Sequence, residues 1–179
     1  MLFVHLAEGF EEIEAITIVD VLRRAGIEVN TVLITNNKAV TGSHNITVLA
    51  DILFEDANYT NCEMIILPGG MPGTTNLAGH EGLIKHIQFF ANNGKWIAAI
   101  CAAPMVLGTL LLLTGKQATI YPGMELHLLG AKHSSEKVVV DEKIITSKGP
   151  GTAMDFALKL VEVFKGDQTV NSLRKAMIL

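Results

Sequence analysis

Most of the patterns by which a sequence announces its chemistry are missing from this chain. Its 179 residues carry a net charge of −4 and no basic stripe, so nothing in it points to nucleic acid. Only two cysteines occur, Cys62 and Cys101. They are too few for a structural zinc site and form no disulfide framework in a chain expected to be cytosolic. No Gly-Lys-Ser or Gly-Lys-Thr is present, which excludes a phosphate-binding P-loop. Gly149-Pro150-Gly151 precedes a helix as a dinucleotide fingerprint does, but Met154 stands where the third glycine belongs. The six histidines show no metal-ligand spacing. The expectation is a protein without metal or cofactor.

Membrane and export signals are also scarce. The start, Met1-Leu2-Phe3-Val4-His5-Leu6-Ala7 before Glu8, lacks the cationic flank and length of a signal peptide, and a cytoplasmic protein is expected. Trp96 to Gly115 holds no charge and is flanked by Lys95 and Lys116 at about bilayer length. Pro104 interrupts that run, and its first half reads equally well as a buried strand, so no membrane span is expected.

What is present is an alternation of strands and helices in a single domain over residues 1–179. Phe3–Ala7, Ile27–Thr35, Met64–Leu67 and Lys95–Ile100 read as strands, and Val138–Val140 with Lys143–Ser147 as a hairpin. Met64–Leu67 is apolar throughout, as in a parallel sheet buried on both faces. Helices are expected over Glu11–Ala25, from Thr74 or Thr75 to Asn92, from Pro104 to Leu113, over Ala153–Phe164, and from Asp167 to Met177 after a stop at Gly166. Thr152 and Asp155 have capping-box spacing.

Two residues sit oddly in this pattern. Cys101 falls at a strand-to-helix turn, between the run ending at Ile100 and a helix opened by Pro104. A thiol facing a helix N-terminus meets free N–H donors that favour thiolate. Glu14 falls within the apolar stripe of Ile18, Val21, Leu22 and Ala25, whereas Glu12 points elsewhere and Glu11 lies at the open mouth of the helix, within reach of water. If buried, Glu14 has a raised pKa and a proton to donate or pass on. The loop Pro68-Gly69-Gly70-Met71-Pro72-Gly73 ends a strand, and Gly69 and Gly70 are candidates for an oxyanion pocket facing Cys101. Each has a plainer reading: a buried inert thiol, a carboxylate reaching solvent past the helix edge, and ordinary turn glycines. Cys62 has no reactive setting. A Cys-His pair formed through the fold leaves His133 and His127 as candidates.

Taken together and in order, Gly9-Phe10-Glu11-Glu12-Ile13-Glu14, Leu67-Pro68-Gly69-Gly70-Met71-Pro72-Gly73, Ala98-Ala99-Ile100-Cys101-Ala102-Ala103-Pro104 and Thr146-Ser147-Lys148-Gly149-Pro150-Gly151-Thr152 resemble the ThiJ/PfpI superfamily, in the branch of the parkinsonism-associated deglycase and YajL. The resemblance covers nearly the whole chain. It implies an α/β, flavodoxin-like (class I glutamine amidotransferase-like) three-layer sandwich with a mostly parallel sheet, assembled as a homodimer. It implies Cys101 as nucleophile, Glu14 as the protonated carboxyl beside it, and Gly69, Gly70 and the Ala102 N–H as oxyanion donors. It implies cofactor-free action on a small reactive aldehyde or a glycated substrate, or redox sensing and chaperone activity. Two departures bear on mechanism. Ala102 follows the cysteine where protease-like members have histidine, which argues against a peptidase. Tyr121-Pro122 stands where deglycase-like members place His-Pro, which puts Tyr121 among the binding residues and argues against efficient glyoxalase turnover; an amidotransferase-like hydrolysis also lacks a histidine partner.

Overall fold

The structure, a computed structural model, describes residues 1–179. Its strands are β1 (Leu2–Leu6), β2 (Val29–Leu33), β3 (Ala39–Thr41), β4 (Thr47–Leu49), β5 (Ile52–Leu53), β6 (Met64–Leu67), β7 (Trp96–Ile100), β8 (Gln117–Ala118), β9 (Lys132–His133), β10 (Val138–Asp141) and β11 (Ile144–Ser147). Its α-helices are α1 (Glu12–Arg24), α2 (Gly73–Gly79), α3 (Glu81–Asn92), α4 (Pro104–Thr109) and α5 (Ala153–Met177). Seven strands make the central sheet in the order β10-β11-β7-β6-β1-β2-β5. Every pairing in it is parallel except β10 with β11.

Alternation of side chains along each strand decides the layers. Leu2, Val4 and Leu6 of β1 point to one face with Met64 and Ile66 of β6 and Ala98 and Ile100 of β7. There they pack on Ile18, Val21 and Leu22 of α1 and on Phe156, Leu160 and Val161 of α5. Phe3, Ile65, Leu67, Ile97 and Ala99 point to the opposite face, against Leu77 of α2, Leu83, Ile87 and Phe90 of α3, and Val106 and Leu107 of α4. Both faces of the middle strands are covered, which is why Met64–Leu67 is apolar at every position. From β1 the chain passes to β2 on one side and later to β6 on the other. That reversal opens a crevice at the carboxyl ends of β1 and β6, the usual ligand position in such sheets.

Several boundaries depart from the sequence reading for local reasons. The helix expected to run to Asn92 breaks at His80, whose backbone is extended and whose Nδ1 accepts the Leu83 N–H at 3.0 Å as the N-cap of α3. The helix expected to reach Leu113 ends at Thr109. Leu111 takes a left-handed φ of 58°, and the Leu112 N–H returns to Leu107 O at 3.0 Å, the arrangement that usually recruits glycine. Thr152 does not cap α5; its hydroxyl bonds Gly149 O at 2.9 Å and Ser147 Oγ at 2.7 Å. Gly166 interrupts α5 with φ 75° and ψ 172°, at the stop read from the sequence. The uncharged run from Trp96 to Gly115 is divided among β7, a turn and α4, and no helix is long and apolar enough to cross a membrane.

The charged start of α1 also differs. Neither Glu11 nor Glu12 reaches open water, because the β3–β4 hairpin folds over the first turn of the helix and leaves them 7 % and 5 % exposed. The packing makes a direct prediction for the core. Phe156 is fully buried between α5 and the sheet, so Phe156→Ala is expected to lower unfolding stability by about 3–5 kcal/mol. Urea denaturation checks it, with a reduced midpoint at an unchanged slope.

Candidate active site

Loops from four adjacent strands converge at the carboxyl edge of the sheet. They comprise residues 7–11 after β1, 68–72 after β6, 101–103 after β7 and 148–149 after β11. At the end of β7 the main chain turns on Cys101, whose φ of 63° is left-handed. Such geometry costs a side-chain-bearing residue about 1–3 kcal/mol and survives only where neighbours enforce it. The enforcement is visible: the Cys101 N–H donates to Ser147 O, and the Tyr121 N–H donates to Cys101 O, each at 2.9 Å. Pro104 then opens α4, where a missing N–H removes no helical bond.

Gly69 packs against both the cysteine and the carboxyl. A Cβ at that position would fall 2.6 Å from Cys101 Cβ and 2.9 Å from Glu14 Oε2, so no other residue fits. Its N–H donates to Glu14 Oε2 at 2.8 Å. Gly69 therefore holds Glu14 and is not free to serve as an oxyanion donor; the main-chain donors directed at the Cys101 sulfur are Gly70 and Ala102. Gly70 has a φ of 88°, and a Cβ there would meet the Glu11 nitrogen at 2.4 Å. Both glycines let the loops after β1, β6 and β7 close on one another.

Glu14 is completely buried, and its Oε1 has no well-aligned hydrogen bond. The Cys101 thiol lies beside the carboxyl, close enough that each group shifts the pKa of the other. Burial, aided by the Glu11 charge, outweighs the lowering effect of the Gly69 N–H and the Cys101 contact and leaves the Glu14 pKa at about 7. For Cys101 the sequence suggests a thiolate stabilised by a helix terminus, and the structure reverses that balance. Burial first, and the Glu14 carboxylate with it, push the thiol up to about 12, because the Gly70 and Ala102 N–H groups only partly compensate. The six-residue α4 is too short to offset the loss of water. When Glu14 keeps its proton, the repulsion disappears and that proton becomes available to the sulfur.

The histidines do not join this pair. His127 and His133 are exposed, and Glu14 is the only titratable side chain that shifts the Cys101 thiol. His5 is buried below the sheet edge with Nε2 at 2.7 Å from the Tyr59 hydroxyl, and burial pushes its pKa down to about 3. Tyr121 is placed near Cys101 by its main chain, and its half-exposed ring forms one wall. The residue that sequence reasoning left out of the site is Gly149. A Cβ there would lie 3.3 Å from the Tyr121 ring and 3.9 Å from Cys101 Sγ. A glycine two residues beyond a buried strand was the available signal. Cys62 is buried, donates to Met64 O at 3.2 Å, and has its pKa pushed up to about 11 by burial.

Comparison with known proteins places this arrangement among relatives. The DJ-1/PfpI family model matches residues 2–163. Protein DJ-1 homolog B of Arabidopsis thaliana is 38% identical over 99% of this chain. The chain spans 41% of that protein's length and 46% of that of its Arabidopsis paralogue, DJ-1 homolog A. The glutathione-independent glyoxalase DJR-1.2 of Caenorhabditis elegans is 34% identical, with 96% of this chain and 92% of that protein aligned. Oxidized DJ-1 of Toxoplasma gondii superposes with a TM-score of 0.94 at 36% identity, covering 99% of this chain and 97% of its own.

The raised Glu14 pKa links the site to stability. Below about 4.5, the ordinary value, Glu14 is protonated folded or unfolded and imposes no penalty. As pH rises toward about 7 the unfolded chain ionises freely while the folded chain resists, so stability falls. Glu14→Gln removes this dependence. Urea unfolding at pH 5 and pH 8 is expected to show wild type losing up to roughly 3 kcal/mol relative to the variant; an unchanged difference would contradict the buried placement.

Proposed function

We propose, for a chain that belongs to the DJ-1/PfpI family, a cofactor-free, cysteine-dependent role in defence against small 2-oxoaldehydes, with methylglyoxal converted to lactate. The observation that carries this reading is the single buried carboxyl held against an elbow thiol, with two N–H groups directed at the same sulfur. The name of the C. elegans relative supports the same chemistry without glutathione.

The steps balance with these groups alone. The Cys101 sulfur adds to the aldehyde carbon, and the thiol proton reaches the new oxygen, giving a hemithioacetal. The Gly70 and Ala102 N–H groups stabilise negative charge on that oxygen as it develops. Glu14 takes the proton from C1 and returns one to C2, while the hydroxyl proton passes from the C1 oxygen to the C2 oxygen, which converts the adduct to a lactoyl thioester. Water hydrolyses the thioester, releasing lactate and restoring the thiol. A carboxyl poised near neutrality suits both halves of the transfer. Tyr121 contributes a wall to the site, and its link to the cysteine is a main-chain N–H that any residue would provide. A homodimer belongs to the same proposal, and sedimentation velocity measures it.

Enzymatic assay of D- and L-lactate from methylglyoxal tests the reaction. Cys101→Ala is expected to abolish it, Glu14→Gln to reduce kcat/KM by at least about 100-fold, and Tyr121→Phe to leave it near wild type. Activity unchanged in Cys101→Ala would sink the proposal.

A second reading rests on the unpaired Glu14 Oε1 and the missing histidine. Peroxide would oxidise Cys101 to a sulfinate, whose oxygens meet the proton of Glu14 and the neighbouring N–H groups, and the protein would act as a redox sensor or chaperone. Intact mass and peptide mapping after mild peroxide are expected to place two added oxygens on Cys101. Modification confined to Cys62, the more deeply buried thiol, would count against sensing.

A further inference from the structure

The first turn of α1 and the tip of the β3–β4 hairpin enclose a set of ligating atoms that the proposed reaction does not use. His44 Nδ1 lies 2.9 Å from Glu12 Oε2 and 3.6 Å from Glu11 Oε2. Ser43 Oγ lies 3.3 Å from Glu12 Oε2, 3.4 Å from Glu11 Oε2 and 3.1 Å from His44 Nδ1. These five distances average about 3.3 Å, and the ligand atoms of Glu11, Glu12 and His44 all lie within 4.8 Å of one another. Ligand atoms held about 2.0 Å from a tetrahedral zinc ion stand about 3.3 Å apart, which is the spacing of these donors.

Glu11 supplies a separate argument. Its side chain is 9% exposed, and outside these four residues it has neither a hydrogen bond nor an ion pair. No lysine or arginine approaches either carboxylate. His44 is the one partner that can carry a positive charge, and a single imidazolium leaves two buried carboxylates with a net negative charge that a divalent ion would neutralise. Glu12 is fixed in place: its Oε1 accepts the His44 N–H at 2.7 Å and the Ile46 N–H at 3.4 Å, leaving Oε2 turned to the other ligands. Gly42 permits this approach, since a Cβ there would lie 2.3 Å from the Glu12 carboxyl.

We propose that Glu11, Glu12 and His44 bind one divalent transition-metal ion of the zinc class, with Ser43 Oγ completing a four-coordinate site. Two carboxylates neutralise the ion, and the imidazole selects zinc or cobalt over magnesium and calcium, which prefer six or more oxygens. The ion ties the start of α1 to a hairpin tip 32 residues further along the chain. The Glu11 N–H also donates to Gly69 O at 2.9 Å, so the clamp bears on the loop that holds Glu14. Histidine spacing gives no hint of such a site, because its ligands come from two elements that meet only in the folded chain.

Zinc binding by protein stripped with a chelator and dialysed against ZnCl2 tests the site, with metal counted by mass spectrometry. Cobalt titration reports its geometry through the intense visible bands of four-coordinate Co²⁺. The expected result is one ion per chain, retained in Cys101→Ser and weakened at least about tenfold in both His44→Ala and Glu11→Gln. His44 is 67% exposed at a turn, so its replacement leaves the fold intact, and circular dichroism verifies this for both variants. No binding by wild type, undiminished binding in either ligand variant, or loss in Cys101→Ser would each overturn the proposal.

Discussion

The absence of a side chain at Gly69 is the constraint on which the rest of the site depends. That position packs against both Cys101 and Glu14, and its N–H fixes the carboxyl at 2.8 Å. With any Cβ in place, the loops after β6 and β7 would have to part, and the thiol and carboxyl would lose contact. Gly70 extends the same closeness toward Glu11. The strained turn at Cys101 is the counterpart on the other loop: two main-chain bonds hold a left-handed cysteine against the glycine. Backbone approach, more than any one side chain, makes the pair possible.

Three carboxyls on one helical turn show how far environment governs chemistry. Glu12 is taken out of water, which alone would raise its pKa, but His44 and the N–H groups of Glu12, His44 and Ile46 hold it down at about 2. Glu14 is buried with one N–H donor and a thiol, and burial prevails, bringing it to about 7. Glu11 lies between these two, buried without a partner outside the hairpin cluster. One residue type thus yields a fixed anion, a group poised to exchange a proton, and a candidate metal ligand. The differences arise from which loop faces each carboxyl: the β3–β4 hairpin for Glu11 and Glu12, the Gly69 loop for Glu14.

The topology explains why such different loops meet. Four adjacent parallel strands deliver their following segments to one edge, and the reversal between β1 and β6 leaves room there. On this plan the elbow, the glycine loop, the start of α1 and Gly149 are neighbours, although more than a hundred residues separate the start of α1 from Gly149. The same edge is where the proposed substrate would enter. The proposed metal clamp lies beside it, bonded to the site through the main chain of Glu11.

Much of this was legible without coordinates. Apolar strands, the turn at Cys101, the stop at Gly166 and a carboxyl on the buried stripe of α1 all follow from local patterns, because side-chain period and backbone preference are properties of neighbouring residues. The motif order pointed to the family and hence to the pairing of Cys101 with Glu14. Only the folded chain decided the rest. It assigned the Gly69 N–H to Glu14, raised the thiol where a helix terminus was expected to lower it, buried Glu11 and Glu12 beneath a hairpin, and left every histidine away from the cysteine. These outcomes depend on desolvation and on contacts between residues distant in sequence, and neither quantity exists until the loops have closed.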